Sequence, residues 1–138
     1  MFLEEATMSI PTRVLTTAVA GVFFVGAAWA GNMDARFGNT VVAKAPDGTV
    51  TKVYYDKPDT FTATIERPGK PVAKAKGTWR ANDKKICVTS DVAFGPFDAN
   101  REGCVLLRGD KVGDNWQVPG KDDEGKNIML DVSIAAGR

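Results

Sequence analysis

The chain has 138 residues, 43% of them hydrophobic and 25% charged, with a formal charge of +1 at pH 7. So even a balance does not call for a nucleic-acid partner. No histidine occurs, which removes His-dependent nucleophile activation, His general-base catalysis and the commonest zinc and copper ligand sets.

Met8 to Ala30 reads as an export signal. Arg13 supplies a short positive region, Val14 to Ala28 follows without a charge, and Ala28-Trp29-Ala30 offers the small-x-small pattern of a cleavage site. Glu4 and Glu5 precede Met8, and acids do not suit such a region, so Met8 is the expected start. A membrane anchor needs about 20 apolar residues. This stretch is shorter and is broken by Thr16, Thr17, Gly21 and Gly26, with no basic cluster after it. A buried core helix is a weaker reading still. The expected mature chain begins at Gly31, as one domain over 31–138 that is periplasmic or secreted. Its contact with the membrane is then transient, through the signal alone.

Beyond Gly31 the pattern is that of strands and short turns. Thr40 to Ala45 is a first strand, and Pro46-Asp47-Gly48 turns it, since Pro presets φ and Gly accepts positive φ. Thr49 to Tyr55 puts Thr51, Val53 and Tyr55 on one face. Thr60 to Glu66 alternates Phe61, Ala63 and Ile65 against Thr62 and Thr64. Val72 to Arg80 alternates again, with Ala73, Ala75, Gly77 and Trp79 inward and Lys74, Lys76, Thr78 and Arg80 outward. Lys85 to Ser90 is a strand of buried character. Ala93 to Gly103 is the longest irregular stretch, and Cys104 to Arg108 a short strand. Val112 to Val118 is a weaker strand ended by a loop from Pro119 to Gly125. Asn127 to Ile134 directs Ile128, Leu130, Val132 and Ile134 inward. No sustained helical period follows Gly31. The expected fold is all-β: an antiparallel meander of about eight short strands closed as a small barrel or sandwich, preceded by the signal helix.

Cys87 and Cys104 are the two cysteines. After export they are expected to pair, tying the ends of the Ala93–Gly103 stretch. A redox-active pair or free thiols are the alternatives. The spacing is too long for C-x-x-C, and nothing around either residue suggests a lowered pKa.

Three groups of residues could carry function. Lys74, Lys76 and Arg80 share a strand face and form a candidate anion-binding patch for a polyanion or an acidic protein surface. The plainer reading is a solvated face that discourages edge pairing. Phe94 and Phe97, in a long tethered loop, are a candidate interaction surface, against core packing as the ordinary role of aromatics. The acids Asp110, Asp114, Asp122, Asp123 and Glu124 match no calcium-loop pattern and have lysines among them. No metal site, cofactor or catalytic residue is expected. Carboxylates of a glycosidase are too common to count as a signal.

The runs Gly77-Thr78-Trp79-Arg80, Ile86-Cys87-Val88-Thr89, Cys104-Val105-Leu106-Leu107 and Val112-Gly113-Asp114-Asn115-Trp116 carry a resemblance. Together with the Asp47-Gly48 turn and the terminal Gly137-Arg138, the chain resembles a set of small exported proteins of Gram-negative bacteria with a G-T-W…C-V-T…C…V-G-D-x-W layout. That resemblance implies export and a small β-fold and implies no activity. The functional expectation is a non-enzymatic binding or accessory module, inhibitor-like, acting on an envelope protein or a polyanion. A small-ligand carrier of β-barrel type is the alternative.

Overall fold

The structure is a computed structural model and describes residues 31–138, with side chains from Met33 onward. The signal-segment expectations, including the choice between Met1 and Met8, fall outside the described residues. Residues from Asn32 to Arg138 form one compact unit.

A single helical turn, Gly31–Asp34, precedes eight strands: β1 Thr40–Lys44, β2 Val50–Asp56, β3 Thr60–Glu66, β4 Ala73–Ala81, β5 Lys85–Ser90, β6 Gly103–Leu106, β7 Asn115–Lys121 and β8 Asn127–Ala135. They make one antiparallel sheet in the order β6-β5-β4-β3-β2-β1-β8-β7. Each strand pairs with its neighbour in sequence, and β8 returns to β1. Only β6 and β7 do not pair. The result is an up-and-down barrel, not a sandwich, and it is nearly closed rather than closed. Among the described residues no helix is long and apolar enough to cross a membrane.

The alternating strands fold as their pattern dictates. Val53, Tyr55, Phe61, Ala63, Ile65, Leu130, Val132 and Ile134 are all buried. Register sets the large Phe61 opposite Gly77, while the small Ala63 and Ala75 face each other. A Cβ at Gly77 would stand 1.8 Å from the Thr89 carbonyl oxygen and 3.1 Å from the Phe61 ring. The missing side chain therefore lets β4 and β5 approach and gives the ring its space. Trp79 fills the end of the same face. It packs edge-on against Tyr55 at 6.2 Å and donates its indole N–H to the Asp56 carbonyl at 3.0 Å.

Two strands differ from expectation by more than one residue at an end: β6, expected over Cys104 to Arg108, runs from Gly103 to Leu106, and the next is shifted further. The weak strand anticipated over Val112 to Val118 runs from Asn115 to Lys121 and includes Pro119, which had marked the start of a loop. Pro119 is tolerated because β7 is an edge strand, where a missing N–H on the outer side breaks no ladder.

The disulfide joins Cys87 and Cys104, which are directly opposed in β5 and β6 with Cα atoms 4.0 Å apart. It ties the base of the intervening segment, as expected. Because β6 has only four residues, a covalent tie does much to hold it. With a sequence separation of 17, replacing both cysteines by serine is expected to cost about 3 kcal/mol by loop-closure entropy. Urea unfolding measures this, and a loss within about 0.5 kcal/mol, the range of neutral surface changes, would show that the tie is not holding β6.

Candidate functional site

The unpaired edges of β6 and β7 define a seam, and side chains seal both of its ends. At one end sits the turn Phe94-Gly95-Pro96-Phe97. Phe94 and Phe97 exchange backbone hydrogen bonds at 3.1 and 2.9 Å, with Gly95 at positive φ. Both rings point inward, each 8% exposed, 5.4 Å from one another, and Phe94 lies 5.9 Å from Phe61. The root of the turn is fixed by the Asn100 N–H donating to the Ser90 carbonyl at 2.6 Å. Gly103 of β6 leaves room for Phe97, since a Cβ there would come within 3.0 Å of the ring. The Gly95 carbonyl accepts from the Lys121 N–H of β7 at 3.5 Å. The turn thus bridges from one open strand to the other.

At the other end the bridge is Arg36, 3% exposed. Its Nη1 donates to the Gly109 carbonyl at 3.1 Å and its Nη2 to the Arg108 carbonyl at 2.5 Å. Its guanidinium lies 5.5 Å over the Trp116 ring. These groups belong to the connection between β6 and β7 and to β7 itself. Burial lowers the pKa of Arg36, with Tyr55 partly offsetting the effect. It still carries its charge at neutral pH. Burial also pushes the Tyr55 phenol up to about 12.

Between the two seals an apolar opening of about 70 Å³ reaches inward, rimmed by Val105, Leu106, Trp116 and Val118. A larger concavity of about 410 Å³ lies at the barrel mouth, over Ile65, Phe94, Phe97 and Ile128, with Asp47, Arg67, Asp122 and Asp123 around it. Its carboxylates serve local structure. Asp47 accepts from the Thr49 N–H, which lowers its pKa. Asp122 accepts from the Glu124 and Lys126 N–H groups, and Asp123 pairs with Arg67 at 3.0 Å. Asp114, likewise, accepts from the Asp110 N–H, and its pKa is lowered for that reason.

Lys74 and Lys76 are exposed, lie directly opposite Thr64 and Thr62, and border a shallow depression with Asp91. Arg80 is not aimed at them. It holds Glu102 through Nε at 2.8 Å and Nη2 at 2.6 Å, which raises its own pKa and lowers that of Glu102. Phe94 and Phe97 are buried and show little aromatic surface, because their rings plug the barrel. Cys87, Cys104 and Glu102 stand close enough together to suggest metal ligands. However, both sulfurs are in the disulfide and Glu102 is engaged by Arg80.

Arg36 and the seam were not anticipated from sequence. Arg36 meets backbone carbonyls more than 70 positions away, and carbonyls leave no mark in a residue string. Comparison with protein-family models, with curated proteins and with solved structures finds no match to this chain.

Phe97→Ala removes a plugging ring and is expected to cost about 3–5 kcal/mol in urea unfolding; a cost under about 1 kcal/mol would mean that the ring is not part of the packed interior. Tyr55 keeps its proton in the native state after the unfolded chain, near pKa 10, has lost it. Its contribution is fully present below pH 10 and is lost as pH rises towards 12. Stability followed by chemical unfolding across that window should fall less steeply in Tyr55→Phe, and equal slopes would count against the buried phenol as the cause.

Proposed function

We propose that this chain is an exported, envelope-located binding or accessory module, inhibitor-like, that engages a partner protein through its outer surface without catalysis of its own. One observation carries the reading. The barrel interior is occupied by its own side chains, with Phe94 and Phe97 in the position that a carried molecule would take and about 70 Å³ left open. Small-molecule sites usually span about 300–1,000 Å³. The missing histidine and the structural employment of the mouth carboxylates argue in the same direction. Export rests on the Met8–Ala30 pattern and on the resemblance to small exported proteins of Gram-negative bacteria. Two paired cysteines suit an oxidising compartment.

The mouth concavity of about 410 Å³ favours a second reading, a small-ligand carrier whose site is the barrel's rim rather than its centre. Lys74 and Lys76 keep a polyanion available as an additional contact.

A photo-crosslinking residue placed in turn at Thr49, Lys76 and Leu106, in protein exported from Gram-negative cells, separates these readings. Processing to Gly31 and one recurring crosslinked protein are the expected result. Protein retained in the cytoplasm would overturn the export reading. A small molecule co-purifying with the barrel, with no protein crosslinked at any position, would transfer the function to the carrier.

A further inference from the structure

The geometry points to the seam edge of β6 as the acceptor for an extended, acidic segment of a partner protein, one of whose aliphatic side chains enters the opening beneath Val105 and Trp116. This inference rests on the binding-module reading and specifies its surface and the chemistry of the partner.

The backbone comes first. The Leu107 N–H donates to the Lys84 carbonyl at 2.7 Å, back towards β5. Strand alternation then turns Gly103 and Val105 towards β5 as well, and turns the N–H and C=O groups of Cys104 and Leu106 into the seam. The 4.0 Å Cα separation of Cys87 and Cys104 is that of the narrow, non-hydrogen-bonded kind of pair, which agrees with this phase. Among the described residues no strand lies on that side of β6. An open row of strand donors and acceptors is what an added strand pairs with. The facing strand is the poorer acceptor. Pro119 contributes no donor, and the Lys121 N–H already meets Gly95.

Side chains specify what kind of strand. Val105, Trp116 and Val118 rim the apolar opening of about 70 Å³, room for a short aliphatic side chain and not for an aromatic ring. Leu106, 54% exposed, offers apolar surface beside it. Charge gives the partner its sign. Lys85 lies directly opposite Leu106, Lys84 accepts the Leu107 hydrogen bond through its carbonyl, and Arg108 follows in the chain. Among the described residues none of these three cations forms an ion pair, and the acids nearest them in sequence, Asp83 and Asp110, pair with none of them. At the other end of β6 the cations are already matched, Arg80 with Glu102 and Arg101 with Asp98. Against the equally unpaired Asp83 and Asp110, the three cations leave a net positive excess at the Leu106 end of the open edge, among the described residues. A segment carrying carboxylates there is favoured, and a basic one is repelled.

The test uses the processed full-length domain and a displayed library of random linear dodecapeptides. Selected peptides are expected to combine acidic residues with a Val, Leu or Ile at alternating positions. Their binding should weaken at least about tenfold in Lys84→Glu/Lys85→Glu/Arg108→Glu, and similarly when alternate peptide amides are N-methylated to remove strand hydrogen bonds. Leu106→Pro, which deletes a seam-facing donor, should act in the same way. Should that variant not fold, the charge variant and the methylated peptides still decide. In nuclear magnetic resonance the Cys104 and Leu106 amides should gain exchange protection on binding. The inference is overturned if no peptide is selected, or if binding ignores charge and N-methylation. It is also overturned if the same variants abolish a dimer of this chain instead. A partner crosslinked from Thr49 or Lys76, with Leu106 silent, would overturn the seam while leaving the binding-module reading intact.

Discussion

A single sheet that curls into a barrel must do something with its first and last strands. Full closure pairs them and removes both edges. Here the pairing fails, because β6 has four residues while β7 has seven and contains a proline. The interior, with Val53, Tyr55, Phe61 and Ile134 inside, still has to be kept from water. Side chains from outside the ladder supply the missing closure. Arg36 reaches two carbonyls of the β6–β7 connection and lies over Trp116. The Phe94–Phe97 turn spans the opposite end and touches β7 through the Gly95 carbonyl. The glycines near the seam follow from that arrangement. A Cβ at Gly109 would stand 2.3 Å from the Trp116 ring, and one at Gly103 would press on Phe97.

A buried guanidinium is a costly way to close a gap, since desolvating a charge opposes folding. What offsets the cost is that Arg36 presents several N–H donors in a fixed fork. The carbonyls of Arg108 and Gly109 would otherwise be left without strand partners at the end of a short edge. One side chain therefore satisfies acceptors that a longer β6 would have satisfied by pairing. The raised phenol pKa of Tyr55 belongs to the same dry environment.

Most of the sheet was legible in the residue string because a half-buried strand repeats every second position. β3 and β5 run over the residues expected of them, Thr60–Glu66 and Lys85–Ser90. The alternation in β8 assigns Leu130, Val132 and Ile134 to the interior, where they lie. The cystine was legible from cysteine count and context. Local pattern failed where an edge decided the outcome. Pro119 ends a central strand but not an outer one, and which strand is outer is a property of the whole topology. The same limit applies to Phe94 and Phe97. Flanked by Gly95 and Pro96, they read as a loop, and nothing nearby in sequence says that the barrel behind them needs a plug. Arg36 is the extreme case, its carbonyl partners lying more than 70 positions away in the chain.

These failures are informative about function. Each falls on the seam, the one region where local preference and global fold disagree, and such disagreements tend to collect at sites kept for something other than stability. A protein selected only to be a stable barrel could lengthen β6, remove Pro119 and close the ladder. This chain instead seals the two ends of the gap and leaves its middle apolar, with backbone groups of Cys104 and Leu106 turned outward. Exposed strand edges ordinarily invite aggregation and are shielded by charge. The lysines and arginine beside Leu106 provide that shielding against copies of the same basic edge. Under the docking inferred for the seam, the same charges attract an acidic strand. On that inference, one electrostatic arrangement keeps the edge unoccupied by its own kind and open to a partner of opposite sign.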